Sequence, residues 1–224
     1  MNRKKFLMSS FAFGLSYAVN ANNKLSSRQE KVKKIGIIGL DITHAAAFTR
    51  AINTAASNHP YGKFRVVAAY PYGSKTIPLS IKRIPKITAE VQQLGVSIVS
   101  SIAELLKKVD YVLLETNDGN LHLEQALQVI KAKKPLFIDK PIANSYADAF
   151  KIFEAARKYG CPIFSSSSLR YITGLQELDR TKVIGADVYC PAVTEPSHKD
   201  LYWYGIHGVE MLFALMGSGC LSVK

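Results

Sequence analysis

The sequence predicts an α/β fold: a Rossmann-like, doubly wound parallel sheet over residues 33–168, then the start of an incomplete α+β second domain over 169–224. Three observations predict it. Six runs of strand length are apolar throughout instead of alternating, as strands covered on both faces are. Segments of helical spacing separate these runs, so each strand returns parallel to the last. After residue 168 the alternation stops, and the remaining 56 or so residues are few for a separate core.

Taken in order, KIGIIGL at 34–40 is the first strand, and the Ala, Phe and Ile spacing over 43–56 predicts a helix. FRVVAAY at 64–70 is the second strand, followed by a helix over 87–94 and a short third strand over 96–99. Ser101 and Glu104 form a capping box, each able to satisfy an amide at the start of a helix that carries 105–109. DYVLLET at 110–116 is the fourth strand, and 121–133 the next helix. Leu136 to Asp139 makes the fifth strand, a helix over 145–159 stops at Gly160, and 162–165 is the sixth strand. Beyond it, IGADVYC at 184–190 reads as a strand, 191–199 as a loop and 207–216 as a helix with apolar Val209, Leu212, Phe213 and Leu215. The chain is expected to end inside this second domain.

With 48% hydrophobic and 21% charged residues, the 224-residue chain can bury a substantial core and is not a disordered polymer. Its formal charge of +12 is uneven: residues 1–34 hold eight lysines and arginines against Glu30 alone, leaving +5 elsewhere. No aromatic-interleaved basic stripe and no zinc-finger spacing accompanies that excess, so a nucleic-acid partner is not expected. Cys161, Cys190 and Cys220 are odd in number and widely spaced, which excludes a disulfide framework or a CxxC metal pair; the first two read as buried structural thiols. No metal site is expected.

Arg3-Lys4-Lys5, the apolar run 6–18 and small residues at 19–21 have the order of a secretory signal, so residues 1–27 read as export signal and linker. The apolar run is too short for an ordinary membrane span. The stretch NRKKFLM at 2–8 also resembles a twin-arginine signal with lysine for the second arginine. These features predict a periplasmic or extracytoplasmic protein with no stable membrane insertion once the signal is removed.

Open α/β sheets bind ligands at the carboxyl ends of their strands, and there IDKPI at 138–142 places Lys140. Further polar groups follow other strands: Thr116, Asn117 and His122 after the fourth, Arg170 and Tyr171 after the sixth, and His207 in the segment Gly205-Ile-His207. On these residues the chain resembles the Gfo/Idh/MocA family of oxidoreductases over residues 34–224. Asp139-Lys140-Pro141 matches that family's Glu-Lys-Pro motif, and Gly205-Ile-His207 its Gly-x-His segment.

The resemblance implies that an NAD or NADP nicotinamide exchanges hydride with a carbon of a sugar, cyclitol or related polyol. It implies that Lys140 hydrogen-bonds the reacting hydroxyl and His207 accepts its proton, with Arg170 and Tyr171 beside them on the substrate. The remaining candidates, Gly36, Gly39, Asp41, Thr43, His44, Ser74, Lys75, Thr116, Asn117, His122, Asp139 and Pro141, would surround the cofactor. The division is chemically sound, because an ammonium lowers the cost of an alkoxide and imidazole titrates near neutrality. Plainer roles stand beside these: Lys140 as a solvated strand cap, His207 as a packed core histidine, His44 and His122 as helix-terminal residues. Association into homo-oligomers is compatible with the resemblance.

Three positions depart from the family pattern. Gly39-Leu40-Asp41-Ile42-Thr43-His44 stands where the family has Gly-x-Gly-x-x-Gly or Ala, so Asp41 brings bulk and negative charge toward a pyrophosphate. The second strand leads into Tyr70-Pro-Tyr-Gly-Ser-Lys75 with no acid for a ribose diol; Ser74 and Lys75 lean instead toward the 2′-phosphate of NADP, or form a polar turn. Trp203 occupies a position where the family often has an aspartate, with Asp200 nearby. Two functions follow: an exported NAD(P)-dependent oxidoreductase, or a carbohydrate-binding or scaffolding protein that keeps the fold without the cofactor.

Overall fold

A computed structural model describes residues 31–222. The expected export signal at 1–27 lies outside them. Six strands, β1 (Lys33–Ile38), β2 (Phe64–Tyr70), β3 (Ser97–Ile98), β4 (Tyr111–Leu114), β5 (Leu136–Asp139) and β6 (Ile163–Ser166), form one sheet in the order β3-β2-β1-β4-β5-β6. All five neighbouring pairs are parallel. The chain builds outward from β1 to β3, then returns to β4 beside β1 and builds the other way. At that reversal the flanking connections leave on opposite faces, which opens a crevice at the carboxyl ends of β1 and β4.

Both faces are apolar because successive strand residues point to opposite sides. Ile35 and Ile37 of β1 join Phe48 and Ile52 of α1 (Thr43–Asn53) and Ile87 and Val91 of α2 (Pro78–Gln93). On the other face Ile38, Leu114 and Ile138 pack against Leu105 of α3 (Ile102–Leu106), Val129 and Ile130 of α4 (His122–Lys131) and Ile152 of α5 (Tyr146–Tyr159). Gly36 is what lets α3 come close, since a Cβ there would stand 2.6 Å from Leu105 Cδ2. Gly36→Ala is therefore expected to destabilise the fold by about 1–3 kcal/mol through overpacking, measured by urea denaturation.

Local signals explain the helix ends. Ser101 Oγ accepts the Glu104 amide at 3.2 Å, while the Glu104 carboxylate reaches the Ser100 amide at 3.0 Å, one residue earlier than the expected reciprocal bond. Ser145 caps α5 by accepting from the Asp148 amide, and Gly160 ends it in the left-handed region at φ 62°. Helix α2 begins nine residues before the expected start at 87, at Pro78. Pro78 occupies the first turn, where a missing N–H costs nothing; Pro85 lies inside the helix on its exposed side, where water can reach the Ile81 carbonyl it leaves without a donor, and the helix runs on through it.

Past β6 the chain forms two short 3₁₀ turns, Ser168–Tyr171 and Arg180–Lys182, and α6 (Ile206–Met216). The strand expected over 184–190 does not form, and Ile184 and Tyr189 are exposed. A strand needs a neighbour for its ladder bonds, and the described residues offer this segment none. Cys190 instead rests on α6 beside Gly208, whose added Cβ would lie 2.9 Å from its Sγ.

Candidate active site

Asp41 is fully buried, and both carboxylate oxygens are held by amides: Oδ1 by Asn117 N at 3.0 Å, Oδ2 by Ser74 N at 3.2 Å. It thus ties the loops that follow β2 and β4 to the loop that follows β1. Burial raises its pKa, and the two amides oppose that rise. The fit is close, since a Cβ on Gly73 would come within 2.4 Å of Oδ2. The negative charge expected to face a pyrophosphate is turned inward. Meanwhile α1 starts without a side-chain cap, and among the described residues the amides of Thr43 and His44 meet no acceptor. A helix N-terminus with free amides is suited to an anion, so this corner fits the phosphates of a dinucleotide.

Strand β5 delivers Asp139 and Lys140, both buried, with Lys140 Nζ 3.9 Å from Asp139 Oδ2. His44 Nδ1 lies 3.2 Å from both oxygens of Asp139. Burial alone would raise the Asp139 pKa, but His44 and Lys140 together outweigh it and hold the carboxyl low. Beside it Glu115 is completely buried, and neither of its oxygens has a hydrogen-bond partner. Burial, then Asp139, pushes the Glu115 pKa well up. His122 is buried with its two ring nitrogens facing carbonyls, Pro141 O at 2.9 Å and Thr116 O at 2.7 Å, and its neutral ring donates to one of them. Burial lowers its pKa.

Helix α6 and the segment before it close the other side. His207 Nδ1 and Ser167 Oγ are 2.5 Å apart, and Arg170 Nε donates to Glu210 Oε2 at 2.6 Å. Burial, followed by the charge on Lys140, lowers the His207 pKa to about 4. In the tautomer that donates Nδ1–H to Ser167, Nε2 carries no proton, which is the form a base requires. His198 accepts the Gly119 amide at 3.1 Å and lies against Trp203, with ring centroids 4.7 Å apart, anchoring this segment to the β4 loop.

Between these walls lies a small cleft of about 80 Å³. Ile42 lines it from the residue before α1, Thr43 and His44 from α1, Leu79 and Arg83 from α2, Asn117 and Lys140 from just beyond β4 and β5, and Trp203, Tyr204 and His207 from the C-terminal segment. The expected residues Thr43, His44, Asn117, Lys140 and His207 are thus brought together. Others have different surroundings. Ser74 Oγ donates to Asp118 Oδ2 at 2.8 Å and its amide binds Asp41, so it offers no donor to a 2′-phosphate; exposed Lys75 sits 5.2 Å from the Tyr72 ring centroid. Arg170 is held by Glu210, and Tyr171 packs on the apolar core, so neither lines the cleft. Gly36 serves packing, whereas Gly39, at φ 89°, passes Thr116 so closely that a Cβ would lie 2.4 Å from its amide. Thr116, His122, Asp139 and Pro141 form the layer beneath the cleft surface.

Arg83, Trp203 and Tyr204 join the expected residues in the cleft wall, and Glu115 joins them beneath it. Glu115 had a signal: an acid ending an apolar strand, as Asp139 does one strand over. Where no metal site was expected, donor atoms of His44, Glu115 and Asp139 lie within 4.8 Å of one another.

Two curated relatives match. An uncharacterized oxidoreductase of Streptococcus pneumoniae is 31% identical over 150 residues, covering 58% of this chain and 40% of the relative. The 2,7-anhydro-N-acetylneuraminate hydratase of Escherichia coli is 30% identical over 107 residues, covering 46% of this chain and 28% of the relative. The chain therefore spans less than half of either. Among solved structures, the NAD-binding protein of Listeria innocua superposes with a TM-score of 0.61 at 18% identity, over 84% of this chain and 56% of that one. The family model described as an oxidoreductase family with an NAD-binding Rossmann fold matches residues 33–167, well over half the chain. With that match and this sheet, the chain belongs to the Gfo/Idh/MocA oxidoreductase family.

Proposed function

We propose that this chain is an exported oxidoreductase that uses NAD or NADP on a CH–OH group of a sugar, cyclitol or related polyol. The observation that carries the reading is one cleft that joins a buried lysine, a histidine biased to its neutral form and a helix N-terminus with free amides. Thr43 and His44 would hold the phosphates, and Asn117 and Lys140 would flank the nicotinamide. The bound nucleotide supplies or takes the hydride. In the oxidative direction, Lys140 donates a hydrogen bond to the substrate oxygen and stabilises the charge that develops as the O–H bond breaks. His207 takes that proton, and Ser167 fixes its tautomer. The relative that acts on a sialic acid derivative supports the substrate class. Lys75, near a β2 end without an acid, inclines the choice toward NADP.

Calorimetry of the full chain with NAD and NADP tests the reading. Saturable heat with one of them is expected; no heat and no protection against melting at millimolar nucleotide would remove it. The low His207 pKa sets the pH response. The imidazole stays neutral down through pH 5, so kcat/KM should be flat there and fall as pH approaches about 4. For stability the folded pKa lies below the ordinary value of 6.5, so between 6.5 and about 4 the unfolded chain binds the extra proton. Stability from this group is thus full above pH 6.5 and lost as pH falls through that window.

A second reading, a cofactor-free carbohydrate-binding or scaffolding protein, is favoured by one observation. Asp41 occupies the amides of Ser74 and Asn117 at the two loop ends that flank the crevice. It predicts sugar binding unaffected by nucleotide. Export rests on the pattern of residues 1–21, and N-terminal sequencing of the mature protein from the periplasmic fraction tests it.

A further inference from the structure

We propose that His44, Glu115 and Asp139 form a binding site for one divalent transition-metal ion, manganese or zinc, beneath the cleft floor. The register of the sheet places the two acids. Leu114 pairs with Ile138, so the next residues, Glu115 and Asp139, stand side by side at the carboxyl ends of β4 and β5, on the face that α1 covers. Helix α1 brings His44 onto that pair, with Nδ1 3.2 Å from each Asp139 oxygen.

Glu115 is the independent sign of a ligand. It is wholly buried, both its oxygens lack a partner, and it lies with the other two donors inside a 4.8 Å span. A carboxyl group buried there with neither oxygen bonded bears the full cost of leaving water. A divalent cation held between Glu115, Asp139 and His44 would give those oxygens the partner they lack.

Oxygen and nitrogen ligands of zinc stand about 2.0–2.2 Å from the metal, and hence about 3–4 Å from each other. The three side chains need only a small inward adjustment from the present span. One imidazole with two carboxylates suits manganese or zinc better than the all-oxygen shells of magnesium and calcium. The ion would hold Asp139 in place and so fix the strand end that carries Lys140. Nothing in this site requires a bound nucleotide.

The test uses the mature chain, stripped with EDTA and titrated with MnCl₂ while the electron paramagnetic resonance of free Mn²⁺ is followed. Manganese is the probe because the thiols of Cys190 and Cys220, neither of them buried, would take zinc. About one equivalent should bind, with a higher melting temperature, and Glu115→Gln should weaken binding about 10- to 100-fold or more. If Glu115→Gln does not fold, His44→Ala serves in its place with the same expected loss. The proposal is overturned if the native chain shows no saturable binding at millimolar Mn²⁺, or if the variant binds as tightly as the native chain. A native chain that binds manganese but no nucleotide would sustain this site while removing the oxidoreductase reading.

Discussion

Lys140→Met should lower kcat about 10³-fold while leaving nucleotide affinity within a few fold. The thioether side chain keeps the aliphatic bulk in a site that is almost fully buried, so packing is preserved and the ammonium alone is lost. A single preorganised donor aimed at developing charge contributes about 10²–10³ in kcat, and this one also balances Asp139 at 3.9 Å. Lys140→Arg should rescue little, because a planar guanidinium cannot take the place of a compact ammonium in so closed a space. Turnover measured beside nucleotide calorimetry separates the chemical role from a structural one. If the methionine variant keeps full kcat, Lys140 is a strand cap and the proposed mechanism has lost its electrophile.

Asp41→Ala is expected to destabilise the protein by about 2–6 kcal/mol, since two buried amides, Ser74 N and Asn117 N, lose their acceptor and each orphaned donor costs about 1–3 kcal/mol. That corresponds to a fall of about 4–24 °C in Tm for a chain of this size. Asp41→Asn keeps one acceptor oxygen and should lose about half as much. The physical point concerns where the charge goes. Had the carboxylate faced the cleft, its removal would relieve repulsion and tighten nucleotide binding. With the carboxylate turned inward, removal loosens the loops after β2 and β4, and nucleotide affinity should fall together with stability. A more stable variant that binds NADP better would show that the carboxylate faces the crevice in solution.

The strands were legible because buried parallel strands write themselves as unbroken apolar runs, and Asp139-Lys140-Pro141 was legible because it closes one. Other features depend on partners remote in sequence. The inward turn of Asp41 is set by amides 33 and 76 residues away. The full length of α2 was hidden by Pro85, which reads as a breaker unless its side of the helix is known to face water. The segment 184–190 has strand composition, but composition cannot provide the neighbouring ladder a strand requires. Glu115 looked like the polar end of a strand. Its meaning came from standing opposite Asp139, a relation fixed by the pairing of Leu114 with Ile138 and not by spacing. Arg83 and Trp203 reach the cleft from elements whose placement depends on the assembled sheet.

The alignment of β4 with β5 also bears on how the chain folds. A slip of one residue would swing Glu115 to the opposite side, among Leu105, Val129 and Ile152, where an ionised acid is intolerable. The buried glutamate would therefore penalise a misaligned central strand, since the true alignment keeps it near Lys140 and His44. Replacing it by leucine would make that error cheap, and the refolding yield, rather than the final stability, would suffer first.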